Sequence, residues 1–281
     1  MFRRLGLVLT PVLAILAVTV PADAASRPVI VAHRGASADA PENTLSALAP
    51  ASRSGADMVE VDVRETRDHA LVLMHDTTLT RTTDAESVFP GRAPWRVADF
   101  TLAEIRRLDA GSWFGRASRG ERVPTLGEAL RAMSRSGLGL LLEIKTPQLY
   151  RGIEARVAGE LRRNPSWPGA GRLVVQSFDW GSMRTFHRIM PDAAIGLLGT
   201  PSPGELPGLA DFADQVNPPY QDVTAEYVRL VHGQGMAVFT WAVDEPGDAE
   251  RVIFDGVDGV ITNRPGMLRS VVADDADLRA A

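Results

Sequence analysis

Four short apolar runs in the first half of the chain each end in, or carry, polar residues. Val29 to Ala32 stops at His33-Arg34-Gly35, and Met58 to Val63 carries Glu60 and Asp62. Leu71 to Met74 stops at His75-Asp76, and Leu138 to Leu142 stops at Glu143-Ile144-Lys145. Compact aliphatic runs of this kind are the pattern of buried strands. In the second run, period two puts Glu60 and Asp62 on one face and Val59, Val61 and Val63 on the other. Two carboxylates side by side on an enclosed face repel each other and call for a cation between them.

Elsewhere the apolar positions take helical spacing. Helices are predicted from Asn43 to about Ser54, Thr125 to Arg135, Tyr150 to Arg163, Trp180 to Ile189, Thr224 to Gln234 and Asp248 to Phe254. They alternate with strands near Leu173 to Phe178, Ala194 to Leu198, Asp214 to Asn217, Met236 to Val243 and Val257 to Thr262. Only Arg67-Asp68-His69 separates the second strand from Leu71 to Asp76. That leaves no room for a crossover helix, so the two form a hairpin, which returns His75 to the side of the two acids. Residues 77–123, broken by Pro90, Gly91, Pro94, Gly111, Gly115 and Gly120, read as an insertion covering the strand ends. It holds one short helix, Thr101 to Leu108, and carries Trp95, Trp113 and Phe114, which serve the mouth or a local core.

Counting the hairpin as an outgrowth of the second strand leaves eight strands, mostly followed by helices. The expected fold is α/β, a (β/α)8 TIM barrel with a small insertion after the second-strand hairpin. A doubly wound sheet does not explain polar strand ends from one end of the chain to the other. In a barrel, His33-Arg34, Glu60, Asp62, Glu143, Lys145, Gln176-Ser177-Phe178, Asn217 and Trp241 converge on one mouth.

Composition narrows the chemistry. The net charge of −5 implies no broad basic surface for nucleic acid. With no cysteine, thiol nucleophiles, cysteine-ligated zinc and disulfides are excluded. Of the 30 lysines and arginines, Lys145 is the single lysine. A chain that meets its ordinary surface needs with arginine has kept one ammonium, beside Glu143. Residues 1–25 read as a secretory signal peptide: Arg3-Arg4, an apolar run from Leu5 to Val20, then Ala22-Asp23-Ala24. The expected mature domain is 26–281, secreted, with no membrane span after cleavage.

The order Ala32-His33-Arg34-Gly35, Pro41-Glu42-Asn43-Thr44, Glu60-Val61-Asp62-Val63, His75-Asp76, Glu143-Ile144-Lys145 and Trp241 resembles the glycerophosphodiester phosphodiesterases. The likeness runs from about Val29 to Pro265 and includes Leu108-Asp109-Ala110-Gly111-Ser112-Trp113-Phe114. It implies hydrolysis of a small glycerophosphodiester to glycerol 3-phosphate and an alcohol, with His33 and His75 as general acid and base. It implies that Glu60, Asp62 and Glu143 hold one divalent cation, and that Arg34 and Lys145 meet the phosphate. Trp241 is then a wall for the glycerol end, and Glu42 a loop glutamate near the metal or at a helix N-terminus. An all-oxygen site suits Ca²⁺ or Mg²⁺, with export favouring Ca²⁺. Phospholipase D-like action, trimming of glycerophosphate polymers and binding without turnover are alternatives on the same fold. One departure is that the family usually has Asp-Gly in the hairpin turn, where this chain has Asp68-His69. A turn that needs positive φ accepts histidine less readily than glycine.

Overall fold

Strand β1 (Val29–Ala32) pairs in parallel with β2 (Met58–Glu65) on one side and with β9 (Gly259–Thr262) on the other, which closes a ring. The computed structural model describes residues 27–167 and 172–280; the signal-peptide expectation for 1–25 lies outside them. From β2 the ring continues through β4 (Gly139–Ile144), β5 (Leu173–Ser177), β6 (Ala194–Leu198), β7 (Gln215–Asn217) and β8 (Ala237–Thr240) to β9, all parallel. The remaining strand, β3 (Leu71–Leu73), lies antiparallel on β2 outside the ring. The expected barrel and its hairpin are therefore both present.

Helices fill the connections. α1 (Leu45–Ala51) follows β1, and α2 (Ala85–Val88) and α3 (Leu102–Ile105) belong to the insertion. α4 (Leu126–Met133), α5 (Ile153–Arg163), α6 (Trp180–Ile189), α7 (Leu206–Leu209), α8 (Ala225–His232), α9 (Pro246–Phe254) and α10 (Pro265–Ala280) complete the outer layer. Several starts are fixed by side chains: Thr44, Asp179 and Thr224 cap α1, α6 and α8, while Thr125 and Glu128 form a capping box on α4. α10 was not anticipated, and among the described residues no helix is long and apolar enough to cross a membrane.

Alternation along the strands divides the interior in two. Val59, Val61, Val63, Leu140, Leu142 and Ile144 face outward into the main core under the helices. Inside the ring, Val31, Met58, Leu141, Phe239 and Ile261 form a separate apolar floor. Gly259 is needed there, because a Cβ would sit 2.6 Å from the Phe239 ring. The polar strand ends stand above this floor.

Three local expectations are corrected. β3 ends at Leu73 rather than Asp76: the Met74 amide still donates to the Asp62 carbonyl, but the His75 carbonyl is taken by the Arg64 guanidinium, so the chain leaves the ladder. The helix expected to run to Leu108 ends at Ile105, although Thr101 and Glu104 begin it with a capping box. Trp113 and Phe114 are not core residues; they are 41% and 36% exposed and meet edge to face. The insertion has its own core instead, including Leu79, Val97, Phe100, Ile105 and Leu108, packed on Val72 and Met74. At the hairpin tip His69 takes φ +64°, and its ring bonds the buried Glu65 carboxylate, which helps to hold that backbone.

Asp109 closes the outer loop of the insertion, accepting from the amides of Gly111, Ser112 and Gly120 and from the Ser112 hydroxyl, each at 2.8 Å. Burial pushes its carboxyl up, the three amides pull it down, and the amides prevail, leaving it at about 2. Its folded pKa lies below the unfolded value, so this stabilisation is present above pH 3.8 and is lost as pH falls towards 2. Asp109→Asn, which removes one accepting oxygen, should cost about 1 kcal/mol at neutral pH. Thermal melts of the two proteins should converge as the pH is lowered through that window.

Candidate active site

β1 ends in a sharp turn that delivers two side chains to the mouth. The His33 amide donates to the Thr262 carbonyl, and Arg34 then turns to φ +57°. In that left-handed conformation, which costs a non-glycine residue about 1–2 kcal/mol, the Arg34 amide donates to Glu60 Oε2 at 2.8 Å. Gly35 follows at φ +85°, where a Cβ would collide with Ala47 of α1 at 2.7 Å. Sequence and packing together thus require glycine after His33-Arg34.

β2 and β4 supply the acids. Their register sets Asp62 beside Glu143, with Glu60 one step down the same face of β2. All three are buried, and one carboxylate oxygen from each lies within 4.8 Å of the others. Two positive groups stand against them. Lys145 Nζ is 2.7 Å from Glu143 Oε1 and 3.6 Å from Asp62 Oδ1, and Arg34 Nε is 3.3 Å from Asp62 Oδ2. Burial and then the neighbouring Asp62 and Glu143 charges push the Glu60 carboxyl well up. Burial and Asp62 likewise push Glu143 up to about 7, against the pull of Lys145. Asp62 ends below its ordinary value because Lys145 and Arg34 outweigh its burial.

The donor set fits a hard divalent cation. Three carboxylates supply only oxygen, as Ca²⁺ and Mg²⁺ prefer. Two buried oxygens, Glu60 Oε1 and Asp62 Oδ1, accept no hydrogen bond, whereas native proteins satisfy nearly all such atoms.

His33 and His75 both line the same cavity, of about 290 Å³, with Arg34, Glu60, Glu143, Lys145, Gln176 and Trp241. Their ring orientations are set from behind. Asn263 Nδ2 donates to Asp244, which turns Asn263 Oδ1 towards His33 Nδ1 at 2.8 Å. An amide oxygen only accepts, so Nδ1 carries the hydrogen and Nε2 is left bare when the ring is neutral. His75 Nδ1 meets Asp76 Oδ1 at 2.7 Å, with the same consequence. Burial, then Arg34, pushes His33 down to about 4, so its ring is neutral at pH 7. Burial also lowers His75, with Asp62 and Asp76 opposing it.

Trp241 forms one wall, held by Nε1–H donating to the Asn217 carbonyl and packed edge to face on Phe178. Glu42 bonds Arg34 and Arg81, and Arg34 links it to Asp62 of the acid cluster, while the Thr44 side chain caps α1. Sequence reasoning did not single out Asn43, Asp76, Arg81, Asn263 or Asp244. Asn43 is the strongest of these, since it donates to Asp62 Oδ2 and accepts from the Asp62 amide, and its φ of +56° suits asparagine. Its place between Glu42 and Thr44 in the motif was the available signal.

Polar groups of several strand ends above an apolar floor, with an all-carboxylate cluster and two bare imidazole nitrogens, define an enzyme of anionic esters. Residues 33–267 match the glycerophosphoryl diester phosphodiesterase family. A glycerophosphodiester phosphodiesterase of Caldanaerobacter subterraneus is 37% identical over 247 residues, covering 86% of this chain and 97% of that protein. Another, from Bacillus subtilis, is 32% identical over 258 residues, covering 86% and 85%. Among solved structures, an Oleispira antarctica phosphodiesterase in complex with the product sn-glycerol-3-phosphate superposes with a TM-score of 0.79 at 30% identity, covering 88% of this chain and 97% of that one. The chain belongs to the glycerophosphoryl diester phosphodiesterase family and is a phosphoric diester hydrolase.

The acid cluster has a measurable cost. In chelator at pH 8, Glu60→Gln should melt above the parent, because a neutral amide removes repulsion from Asp62 and Glu143; each 1 kcal/mol relieved is worth about 2–4 °C. Excess divalent cation should raise the parent's midpoint and leave that of Glu60→Gln nearly unmoved. A variant that melts lower than the parent in chelator contradicts this picture of the cluster.

Proposed function

We propose that this protein hydrolyses glycerophosphodiesters to glycerol 3-phosphate and an alcohol by two-histidine general acid–base catalysis. The observation that carries the reading is the joint placement of His33, His75, Arg34, Lys145, Glu60 and Glu143 around one cavity, with Asp62 completing the acid cluster. Glu60, Asp62 and Glu143 would hold one divalent cation, which when bound supplies positive charge where the phosphoryl oxygens become more negative. Arg34 and Lys145 add fixed positive charge on the same side, and an enclosed site strengthens it. One histidine, neutral, takes the proton of the nucleophile through its bare Nε2, and the other, entering the cycle as the imidazolium with a proton from solvent on Nε2, gives that proton to the leaving alkoxide. Asn263 and Asp76 keep both rings turned for these transfers. The Trp241 wall, with Leu198 and Ile261, gives the carbon face of a glycerol unit an apolar surface.

Calcium is the ion favoured here. A cluster made only of carboxylates suits its flexible oxygen coordination, and the N-terminal pattern of Arg3-Arg4, Leu5 to Val20 and Ala22-Asp23-Ala24 supports export to a calcium-containing medium. The Oleispira antarctica complex with sn-glycerol-3-phosphate supports that product for the present chain.

Product analysis on glycerophosphocholine tests the reading: glycerol 3-phosphate and choline are expected, and release of phosphocholine and glycerol contradicts it. His33→Ala and His75→Ala should each lower kcat by about 10²–10⁴. His187→Ala and His232→Ala should change it little, since those residues lie in the outer helices α6 and α8.

Lys145 gives a sharper test. It is 9% exposed, bonded to Glu143, close to Asp62 and 5.8 Å from the Phe178 ring centre. A planar guanidinium needs more width than an ammonium, and the space is already shared with Arg34. Lys145→Arg keeps the charge but should lose much of kcat, with a parent-like melt. Parent-like kinetics in that variant would count against a phosphate-facing Lys145.

A further inference from the structure

Arg81 lies in the insertion, five residues beyond Asp76, and is joined to the site by four hydrogen bonds. Its Nε and Nη2 donate to Asp76 Oδ2 and Oδ1 at 2.7 and 3.0 Å. Its Nη1 and Nη2 donate to Glu42 Oε2 and Oε1 at 2.8 and 2.7 Å. Each carboxylate also holds a group that faces the cavity: Asp76 Oδ1 bonds His75 Nδ1, and Glu42 Oε1 accepts from Arg34 Nη1 at 2.9 Å. One guanidinium thus spans the carboxylates that stand behind His75 and Arg34.

We propose that Arg81 is a positioning residue of the hydrolase, clamping Asp76 and Glu42 so that His75 and Arg34 stay aimed at the same phosphate. The inference rests on the roles proposed above for those two residues. The geometry is specific to arginine. Two forked contacts on two carboxylates use Nε and both Nη atoms, and a lysine ammonium has neither the width nor the plane to reproduce them. The base of the clamp is firm as well. Leu79 is fully buried in the insertion's core, Thr82 and Thr83 are buried, and Thr83 Oγ1 donates to the Leu79 carbonyl.

A purely stabilising role accounts poorly for this arrangement. The insertion is already tied to the barrel through its own core against Val72 and Met74, so its anchoring does not depend on these ion pairs. Without Arg81, Asp76 is free to turn from His75 Nδ1, which releases the ring from the orientation that bares Nε2. Glu42 loses the partner that opposes Arg34, and the Arg34 guanidinium moves with it. Small displacements of reacting groups carry large kinetic penalties.

The Arg81 side chain is 43% exposed, so a small solute can reach the space it leaves. Free guanidinium can refill the gap between two carboxylates but cannot retie the chain. Steady-state kinetics of the cation-loaded full-length enzyme on glycerophosphocholine, with thermal melts, separates the two roles. Arg81→Ala should lose on the order of tenfold to a hundredfold in kcat, with a midpoint close to the parent's. Millimolar guanidinium chloride should restore several-fold of that loss, and Arg81→Lys should lie between Arg81→Ala and the parent. If Arg81→Ala keeps kcat within twofold of the parent, or loses it with no recovery in guanidinium, the clamp is wrong. His75→Ala is measured alongside. A dead His75→Ala beside an unimpaired Arg81→Ala overturns the clamp alone, whereas parent-like kcat in His75→Ala overturns the histidine's role and the clamp with it.

Discussion

Three carboxylates enclosed at the top of two neighbouring strands are the constraint around which the rest of the mouth is arranged. The parallel register of β2 and β4 sets Asp62 beside Glu143, and the pleat adds Glu60 to the same face. Mutual repulsion and burial raise Glu60 and Glu143, an arrangement that hydrophobic packing cannot relieve. The described part of the chain answers with Lys145 and Arg34, each within 4 Å of the cluster. Even so, two buried carboxylate oxygens keep no hydrogen bond. Such a cluster is tolerated where a cation completes it, and functional sites are where proteins accept local destabilisation of this kind.

A second tier of residues turns a collection of polar groups into an oriented site. Asp244 fixes the Asn263 amide, and Asn263 fixes the tautomer of His33. Arg64 holds the His75 carbonyl while Asp76 holds its ring. Asn43 binds Asp62 by both its amide groups. These contacts fix ring planes and proton positions in advance, which lowers the reorganisation needed when charge develops on a phosphoryl group. The left-handed backbone at Arg34 belongs to the same tier, since it aims an amide at Glu60.

Much of this was legible from residue order. The period-two spacing of Glu60 and Asp62 marked a shared face, and the polar ends of the apolar runs marked the strands and the direction in which they converge. Trp180–Ile189 and Ala194–Leu198 fall where hydrophobic spacing placed them. The parts that were not legible depend on long-range partners. β3 stops early because Arg64 captures the His75 carbonyl, an event that no local pattern encodes. The exposure of Trp113 and Phe114 followed from the insertion finding a core in Phe100, Ile105 and Leu108, whose apolar positions are too irregular to reveal it. The contact between His33 and Asn263 spans 230 residues and follows from pairing of β1 with β9, and that between Arg81 and Glu42 spans 39 and follows from pairing of β1 with the β2–β3 hairpin.

Binding of one divalent cation by the acid cluster would organise the whole mouth. Equilibrium dialysis of the purified, cation-stripped protein against Ca²⁺, followed by elemental analysis, measures this without reference to turnover. One ion per chain is expected at saturation, and none at the same free concentration in a folded Glu60→Gln/Asp62→Asn variant. A parent that takes up no Ca²⁺, Mg²⁺ or other divalent ion at millimolar concentration, or a double variant that binds as the parent does, would contradict it.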